Sequence, residues 1–205
     1  LGGENYFPME VPDYKVQPRD ILYVSVKAQT PEGTLTEILG DRTSANANYL
    51  ANEGSAYMMG YSIDPQGNVT LPLMGDLPVA GMTIYEIRDL LQQKIDSLFR
   101  HAYVEVRLMS FKFTVIGEVR APGSYVNYND QLTVLEAIGR AGGIAETGTK
   151  EKILVIRPAG DQTITYHIDL QDKALLSSPA YFITPNDVVI VQPNPKKVFG
   201  VNLPT

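Results

Sequence analysis

The chain has 205 residues, 44% of them hydrophobic, and a formal net charge of −6 at pH 7. This length suits one large domain or two domains of about 100 residues, and the hydrophobic fraction is enough to bury a core. An acidic surface repels phosphate backbones, and the scattered Lys and Arg residues form no basic patch, so the composition argues against nucleic-acid and membrane-surface binding. There is no cysteine, which excludes disulfides, thiolate catalysis and cysteine zinc sites.

The two ends of the chain carry no targeting signal. The sequence starts at Leu1 without a charged-then-apolar leader, and no amphipathic or apolar helix precedes Thr205. No apolar run approaches the roughly 20 residues that span a bilayer. We therefore expect a processed or trimmed chain whose targeting and anchoring information lies in flanking segments.

The first half predicts short strands and one helix. A β-rich run, 21–26, follows a Pro-Arg-Asp turn at 18–20, in which proline fixes its own φ and aspartate bonds forward to backbone amides. The turn Asp64–Gly67 joins two short strands. Alternation over 103–108, after His101, predicts a further strand with one buried face.

The helix of this half begins at a capping box. Thr83 is the predicted N-cap, and Glu86 reaches back to it three residues later. Five apolar residues then fall on one helix face: Ile84, Ile87, Leu91, Ile95 and Leu98.

The stretch 28–60 has little periodicity and is rich in Asn and small residues. Only Leu35, Ile38 and Leu39 suggest a short helical turn. We interpret 28–60 as a surface insertion. It either contacts neighbouring subunits or is a solvated loop, the commoner role of such segments.

The second half predicts another unit of strands with one helix. Strands are predicted at 113–119 and 124–128, and later at 152–158, 163–170 and 181–193. Thr133 and Glu136 repeat the capping box before the helix, and Gly142 or Gly143 can end that helix in the left-handed conformation.

Two segments of the chain repeat one pattern. Residues 14–26 and 181–193 share Tyr-x-(Val/Ile)-x-Pro-x-Asp-x-(Leu/Val)-x-Val, and the helix starts GMTIYE and QLTVLE are also alike. Only two copies occur, far apart, which excludes a solenoid. The pattern indicates one structural solution used in two domains.

The sequence offers no pattern typical of catalysis. The only histidines, His101 and His167, fall in different halves, and neither HExxH nor Gly-x-Ser-x-Gly occurs. The glycine-rich run 139–143 lacks the Gly-Lys-Ser/Thr ending and follows a helix, where a phosphate site would precede one. We expect no catalytic residue, no metal site and no cofactor.

Paired carboxylates could in principle hydrolyse a glycosidic bond. The pairs are Asp64 with Asp76 and Asp20 with Asp187. Each aspartate lies in a turn pattern where it would cap backbone amides. We therefore expect the protein not to be an enzyme.

Tyrosine is frequent, with 12 residues against no tryptophan. Tyr125 and Tyr128 bracket a predicted strand end beside Asn127, Asn129 and Asp130. Aromatic faces flanked by amides and carboxylates suit saccharide binding, which makes Tyr125, Tyr128, Asn129 and Asp130 candidate ligand-binding residues. The alternative, packing within a strand, agrees with the β-propensity of tyrosine.

Several ordered motifs resemble a known family. Residues 14–26, 61–83 and the helix that follows resemble the polysaccharide export domain of bacterial outer-membrane capsule and exopolysaccharide exporters. Residues 113–144 and 183–193 resemble the soluble ligand-binding β-grasp (SLBB) module that follows that domain. The similarity runs from Tyr14 to Pro193, interrupted at 28–60.

The resemblance implies an α+β fold of two small domains, each with mixed strands and a packed helix, the second β-grasp-like. The export-type domain would be 11–110, the SLBB-type domain 111–195, and 196–205 a C-terminal extension. There is room for one β-grasp module, whereas some relatives carry two or more.

The resemblance also implies a function in transport. It predicts a periplasmic ring of identical subunits at the outer membrane of a Gram-negative bacterium, through which a capsular polysaccharide or exopolysaccharide passes. An inner-membrane polysaccharide co-polymerase would be the partner. Better-known members are attached by a lipidated cysteine and a C-terminal amphipathic helix, neither of which this sequence shows. The alternatives are a glycan-binding module without a transport role and, third, an enzyme acting on cell-wall sugars.

Overall fold

A computed structural model describes residues 11–29, 33–40, 60–99, 101–160 and 162–195. Two compact units meet in sequence between Ser110 and Phe111, and each is described by itself. In the part of the chain that the structure describes, both combine short strands with one α-helix, which confirms the predicted α+β fold of two small domains. Among the described residues, no helix is long and apolar enough to cross a membrane.

The first unit is built around a central strand, β1 (Ile21–Gln29). Strand β6 (Ala102–Leu108) pairs antiparallel with one edge of β1. Along the other edge, β1 pairs antiparallel with β2 (Leu35–Leu39) near its end and with β3 (Tyr61–Ser62) at its start. A separate hairpin joins β4 (Asn68–Leu71) and β5 (Gly75–Pro78).

The helix α1 (Ile84–Asp96) covers the core of this unit and begins as the sequence predicts. Glu86 N–H donates to Thr83 Oγ1, and Thr83 N–H donates to the Glu86 carboxylate at 2.7 Å. The buried helix residues are Ile87, Leu91 and Ile95. Leu98, predicted on the same face, lies beyond the end of the helix and is 56% exposed.

The core of the first unit comes from alternating strand residues. Val24 and Val26 of β1 and Val104 of β6 are at most 1% exposed. Side chains of successive strand residues point to opposite faces, so this alternation places one face against α1 and leaves the other outward. The predicted one-sided burial of β6 is confirmed.

The predicted helical turn in the 28–60 stretch is wrong. Leu35, Ile38 and Leu39 belong to strand β2, which pairs with β1 in a register that joins Lys27 to Glu37. Pairing with an already formed strand supplies β2 with hydrogen bonds that a local pattern does not reveal. Strand β1 also runs on to Gln29. Residues 41–59 of the predicted insertion lie outside the described residues.

The elements of the second unit are β7 (Lys112–Gly117), β8 (Gly123–Val126), α2 (Val134–Arg140), β9 (Gly148–Ala159), β10 (Gln162–Ile168), a 3-10 helix (Lys173–Ser177) and β11 (Val188–Pro193). These strands form a mixed sheet in the order β10-β9-β11-β7-β8. Neighbouring strands are antiparallel except β11 and β7, which are parallel. A central parallel pair formed by the first and last strands is the arrangement of a β-grasp sheet.

Both ends of α2 match their sequence signals. The Thr133 and Glu136 capping box is complete, and the hydrogen bond from the Thr133 backbone keeps the pKa of Glu136 below its usual value. At the other end, Gly142 and Gly143 have positive φ. The Gly143 N–H donates to Ile138 O, and the Gly142 N–H to Gly139 O, which is the Schellman arrangement.

The repeated Pro-x-Asp pattern forms the same turn in both units. In the first, Asp20 N–H donates to Gln17 O at 3.1 Å, while Gln17 N–H donates back to Asp20 Oδ2 at 2.9 Å. In the second, Asp187 N–H donates to Thr184 O at 3.1 Å, and Thr184 N–H donates to Asp187 Oδ2 at 2.8 Å. Each carboxylate therefore closes its own turn.

The residue before each aspartate adopts a left-handed backbone, with φ of 77° at Arg19 and 68° at Asn186. This is the position of a type II turn that requires positive φ, and proline precedes it in both copies. The sequence repeat thus corresponds to a structural repeat, one at the start of each unit's central strand.

The two turn aspartates differ in their tertiary partners. Asp20 accepts from two hydroxyls, Tyr14 Oη at 2.8 Å and Ser110 Oγ at 2.9 Å. Asp187 is fully buried and accepts from Arg157 Nη2 at 2.8 Å and Nε at 3.0 Å. The first unit therefore satisfies its buried carboxylate with neutral donors, and the second with a cation.

Candidate functional site

The candidate saccharide residues lie at the end of β8 and in the loop that follows. Tyr125, within β8, is half-buried, and its hydroxyl donates to Ala121 O. Its ring stacks on Phe113, with ring centroids 5.7 Å apart. Tyr125 therefore packs against the sheet and holds the turn between β7 and β8.

Asn127 determines the shape of the loop 127–131. Its side chain is 2% exposed, and its Nδ2 donates to Asn129 O at 2.6 Å. Its Oδ1 accepts from Arg140 Nη2 at 2.9 Å, and Arg140 Nη1 donates to Val126 O at 3.1 Å. A buried amide with its donor and acceptor both engaged fixes the backbone around it.

The other three candidates are presented to solvent by this loop. Tyr128 is 68% exposed, and Asn129 and Asp130 are also exposed. A phenol ring can pack on the CH face of a sugar, while an amide and a carboxylate can bond its hydroxyls. The structure thus brings Tyr128, Asn129 and Asp130 into one loop, with Tyr125 separated from them by its packing role.

Arg140 supports this loop, a role that the sequence did not predict. In addition to its bond to Val126 O at the end of β8, its guanidinium carbon lies 5.9 Å from the Phe113 ring centroid. Arginine in the last turn of a helix is typical of a favourable interaction with the helix dipole, so its position alone gave no sign of a tertiary contact.

The carboxylates considered for glycoside hydrolysis are engaged in local structure. Asp64 accepts from the backbone N–H groups of Gln66 at 2.9 Å and Asn68 at 2.8 Å, and the Asn68 bond lowers the pKa of Asp64. Asp76 accepts from Thr70 Oγ1 at 2.6 Å. The other pair, Asp20 and Asp187, lies in separate units.

The two histidines are both exposed, His101 before β6 and His167 on β10. Within the described parts of the chain, no group of three or more histidine and carboxylate side chains could hold a metal ion. The glycine-rich run 139–143 ends α2, as its capping geometry requires.

Two family models match the chain one after the other. Residues 8–109 match "Polysaccharide biosynthesis/export protein", and residues 111–191 match "SLBB domain". The change from one match to the next falls at the same place in the sequence as the division between the two structural units.

Curated relatives carry names from the same field. The chain is similar to "EPS I polysaccharide export outer membrane protein EpsA" of Ralstonia solanacearum, with 30% identity over 71% of this chain and 40% of that protein. It is 31% identical to "Exopolysaccharide production protein ExoF" of Rhizobium meliloti over 54% of this chain and 27% of that protein. It is 27% identical to "Polysialic acid transport protein KpsD" of Escherichia coli over 63% and 26%.

The chain thus spans less than half the length of these relatives. Their names refer to export of a polysaccharide at the outer membrane, production of exopolysaccharide and transport of polysialic acid. Both consecutive family matches and the relatives agree with the resemblance in the sequence motifs. The chain belongs to the polysaccharide export protein family and carries its export domain followed by one SLBB domain.

Proposed function

We propose that this chain is the periplasmic part of an outer-membrane channel that exports a capsular polysaccharide or exopolysaccharide. The observation that carries the proposal is the pair of consecutive family matches over 8–109 and 111–191. In this proposal identical subunits assemble into a ring, and the polymer passes along its axis. An inner-membrane co-polymerase delivers the polymer, and segments outside this chain attach the ring to the outer membrane.

The tip of the β4–β5 hairpin supports a role in self-association. Leu73 is 64% exposed and has φ of 67°, a conformation that costs a branched residue energy. Leu73 follows Pro72 in the turn that the Met74 N–H closes on Leu71 O, so the turn accounts for the positive φ and places the apolar side chain where another protein could contact it. A second copy of the chain is the partner that a ring requires.

We also propose that the protein acts without covalent chemistry. Each aspartate weighed as a catalytic acid already bonds its own turn or a neighbouring strand, which is a structural use of that carboxylate. Polymer transport then depends on shape and weak surface contacts. Incubation with the cell's glycans, followed by mass spectrometry, should show unchanged chain lengths, and shortened chains would overturn this part.

The export proposal is tested with the full-length protein. Gentle detergent extraction should yield a ring whose size is stable to dilution, and deletion of the gene should abolish surface polysaccharide. Complementation with Leu73→Ser should restore less polymer than complementation with the unsubstituted gene, because the contact at the hairpin tip is weakened. A monomeric full-length protein together with normal surface polysaccharide in the deletion strain would refute the proposal.

The ordered loop 127–131 favours a second candidate, a glycan-binding module without a transport role. The buried Asn127 preorganises the exposed Tyr128, Asn129 and Asp130, which reduces the entropy lost on binding. Calorimetry with the polysaccharide of the source organism separates the two functions. A module should bind with defined stoichiometry and lose affinity in Tyr128→Ala, whereas a channel should bind the polymer weakly.

A further inference from the structure

Strand β10 forms an outer edge of the sheet in the second unit. Within the described residues it pairs with β9 alone, and its register with β9 runs without a shift from Gln162 to Ile168. The strand is seven residues long, and its sequence, QTITYHI, contains no Lys, Arg, Asp, Glu, Pro or Gly. Exposed strand edges are usually protected by charged residues, proline, bulges or short length. None of these protections is present in β10.

The register shows which backbone groups of β10 point away from the sheet. Ala159 pairs with Gln162 across the two residues between them, and the pair that flanks a two-residue hairpin loop exchanges both hydrogen bonds. Bonded and non-bonded pairs alternate along an antiparallel ladder, so every second residue from Gln162 to Ile168 bonds to β9. The N–H and C=O groups of Thr163, Thr165 and His167 therefore point outward.

Two other strand edges are closed by side chains from the helices. In the first unit, Gln92 of α1 bonds Ala102 O and the Val104 N–H of β6, at 2.8 and 3.0 Å. In the second unit, Arg140 of α2 donates to Val126 O of β8 at 3.1 Å. An added strand would have to break these bonds. In the part of the chain that the structure describes, no side chain bonds the outward backbone groups of β10 in this way.

An exposed apolar side chain accompanies the open edge. Tyr166 pairs with the fully buried Val155, and Ile164, two residues before Tyr166, lies on the same face of the sheet. Ile164 is 41% exposed, although this is the face that carries the core. A strand added beside β10 would cover it, and cross-strand pairs of aromatic and β-branched residues are favourable. The edge thus offers an apolar contact in addition to its backbone groups.

The chemistry of this edge specifies an extended polypeptide as its ligand. A row of N–H and C=O groups on alternate residues is complementary to the backbone of another strand. The strand carries no charge that would select a phosphate or a lipid headgroup. The added segment should place apolar side chains beside Ile164 and small polar ones beside Thr163 and Thr165, which is the alternation of an amphipathic strand.

A second copy of this chain fits the edge less well. Two β10 edges pair antiparallel about a two-fold axis, which uses both edges in one pair, whereas a ring joins two different surfaces of its neighbours. Pairing with a different edge of a neighbour would meet β8, which is four residues long and bonded by Arg140, or β6, which is bonded by Gln92. The edge of β10 therefore stays open when subunits form a ring.

We propose that the outer edge of β10 binds an extended, amphipathic segment of another protein by strand addition, and that this protein acts with the chain in export. The choice of another protein over a second copy rests on the proposed export ring. The site consists mainly of backbone groups in the SLBB domain.

Amide hydrogen exchange of the 205-residue chain, followed by NMR, tests the site directly. The probe is the end-blocked peptide Lys-Thr-Val-Thr-Val-Thr-Lys, and the control peptide has proline in place of each valine. The valine peptide should slow exchange at Thr163, Thr165 and His167, whose N–H groups point outward. Exchange at Ile164 and Tyr166, whose N–H groups already bond to β9, should change little. The proline peptide should have no effect.

Two variants remove the site in different ways. Thr165→Pro deletes an outward N–H without removing a bond to β9, which is the position where an edge strand tolerates proline. It should weaken binding of the valine peptide about tenfold or more, because a peptide carbonyl loses its donor. Ile164→Lys keeps every backbone group and places a charge beside the added strand, so it should also weaken binding. The matched controls, Thr165→Val and Ile164→Val, should bind like the unsubstituted chain.

Complementation of the deletion strain with full-length variants tests the role of the site in export. Thr165→Pro and Ile164→Lys should lower the amount of surface polysaccharide while the ring remains intact. The two valine controls should restore the polysaccharide fully.

Four results would overturn the inference. They are unchanged exchange at Thr163, Thr165 and His167 with the valine peptide, slowed exchange at these amides without peptide as the chain concentration rises, loss of the ring in Thr165→Pro, and normal surface polysaccharide in both Thr165→Pro and Ile164→Lys. The second and third would assign the edge to a second copy. The export proposal is judged separately, because a monomeric full-length protein and normal polysaccharide in the deletion strain would refute it whatever the peptide does.

Discussion

The two Pro-x-Asp turns, at 17–20 and 184–187, allow the same substitution, aspartate to asparagine, to be compared in two surroundings. Asp187 Oδ2 accepts from Arg157 Nη2 and the Thr184 N–H, while Oδ1 accepts from Arg157 Nε and the Thr184 hydroxyl. An asparagine must turn its NH₂ group toward one of these pairs. In either orientation it faces an N–H of Arg157, so one donor meets another.

Asp187→Asn also leaves a cation without its counter-charge. The Arg157 side chain is 13% exposed and Asp187 is fully buried. Breaking a buried ion pair by removing one partner costs about 3 to 5 kcal/mol. Because Arg157 keeps its bonds to the carbonyls of Phe182 and Pro179, we expect Asp187→Asn to lower the free energy of unfolding by about 3 kcal/mol, the lower end of this range.

Asp20→Asn should be far milder. Asp20 Oδ2 accepts from Tyr14 Oη and the Gln17 N–H, and Oδ1 accepts from Ser110 Oγ. An asparagine can place its oxygen where Oδ2 lies in Asp20 and donate from its NH₂ group to the Ser110 hydroxyl, which can accept a hydrogen bond. We expect a cost of about 1 kcal/mol, the scale of one ordinary hydrogen bond.

Urea unfolding of the two variants, followed by circular dichroism, measures both costs. Amide hydrogen exchange assigns each loss to β11 or to β1, because the two units need not unfold together. In Arg157→Met combined with Asp187→Asn, part of the stability should return, since no buried charge remains unpaired. Equal losses at 20 and 187, or a loss at 187 below about 1 kcal/mol, would refute the reasoning.

Four further substitutions test the second unit. In Gly117→Ala, where φ is 86°, the new Cβ would lie 2.2 Å from Val191 O, so we expect thermal unfolding to show a loss of stability well above about 1 kcal/mol. Gly139→Ala, at an exposed position of α2, should instead raise the stability by about 0.5 to 1 kcal/mol. Glu136→Gln should be less stable than the unsubstituted chain at pH 7 and equally stable in acid. A carboxyl whose pKa is lowered by folding stabilises the folded state above its unfolded pKa and loses that contribution as pH falls through its folded pKa. A stability difference that persists unchanged at low pH would contradict this. Asn127→Leu should cost about 1 to 3 kcal/mol and speed amide exchange over 127–131, since the arginine and the carbonyl that it binds lose their partner.

Features with local causes could be read from the sequence. The capping boxes at Thr83 and Thr133 need only residues three apart, and both are present. The Pro-x-Asp turns close on themselves through Gln17 and Thr184, so their repetition in sequence reproduces their geometry. The Schellman end of α2 likewise depends on two adjacent glycines.

Features that depend on distant partners could not be read in this way. Leu35 to Leu39 form a strand because β1 lies beside them, although their own spacing suggests a helical turn. The loop at Asn127 is held by Arg140, 13 residues later. The Gln92 side chain joins α1 to β6 through Ala102 O and the Val104 N–H, and no spacing along the chain indicates that contact.

The two Pro-x-Asp turns share their local hydrogen bonds but differ in their tertiary contacts. In both copies the carboxylate accepts from the backbone N–H three residues before it, and this bond exists without any tertiary partner. Burying the remaining charge then demands a donor from elsewhere, which is Ser110 in one unit and Arg157 in the other. Because Arg157 also bonds the carbonyls of Pro179 and Phe182, it ties the segment before β11 to β9. In the first unit, Ser110 donates to Asp20 and accepts from the Ile21 N–H, the first residue of β1. The same Pro-x-Asp turn therefore starts a strand in each unit, but only in the SLBB unit is its aspartate bound by a side chain that also holds backbone carbonyls of the segment leading into that strand.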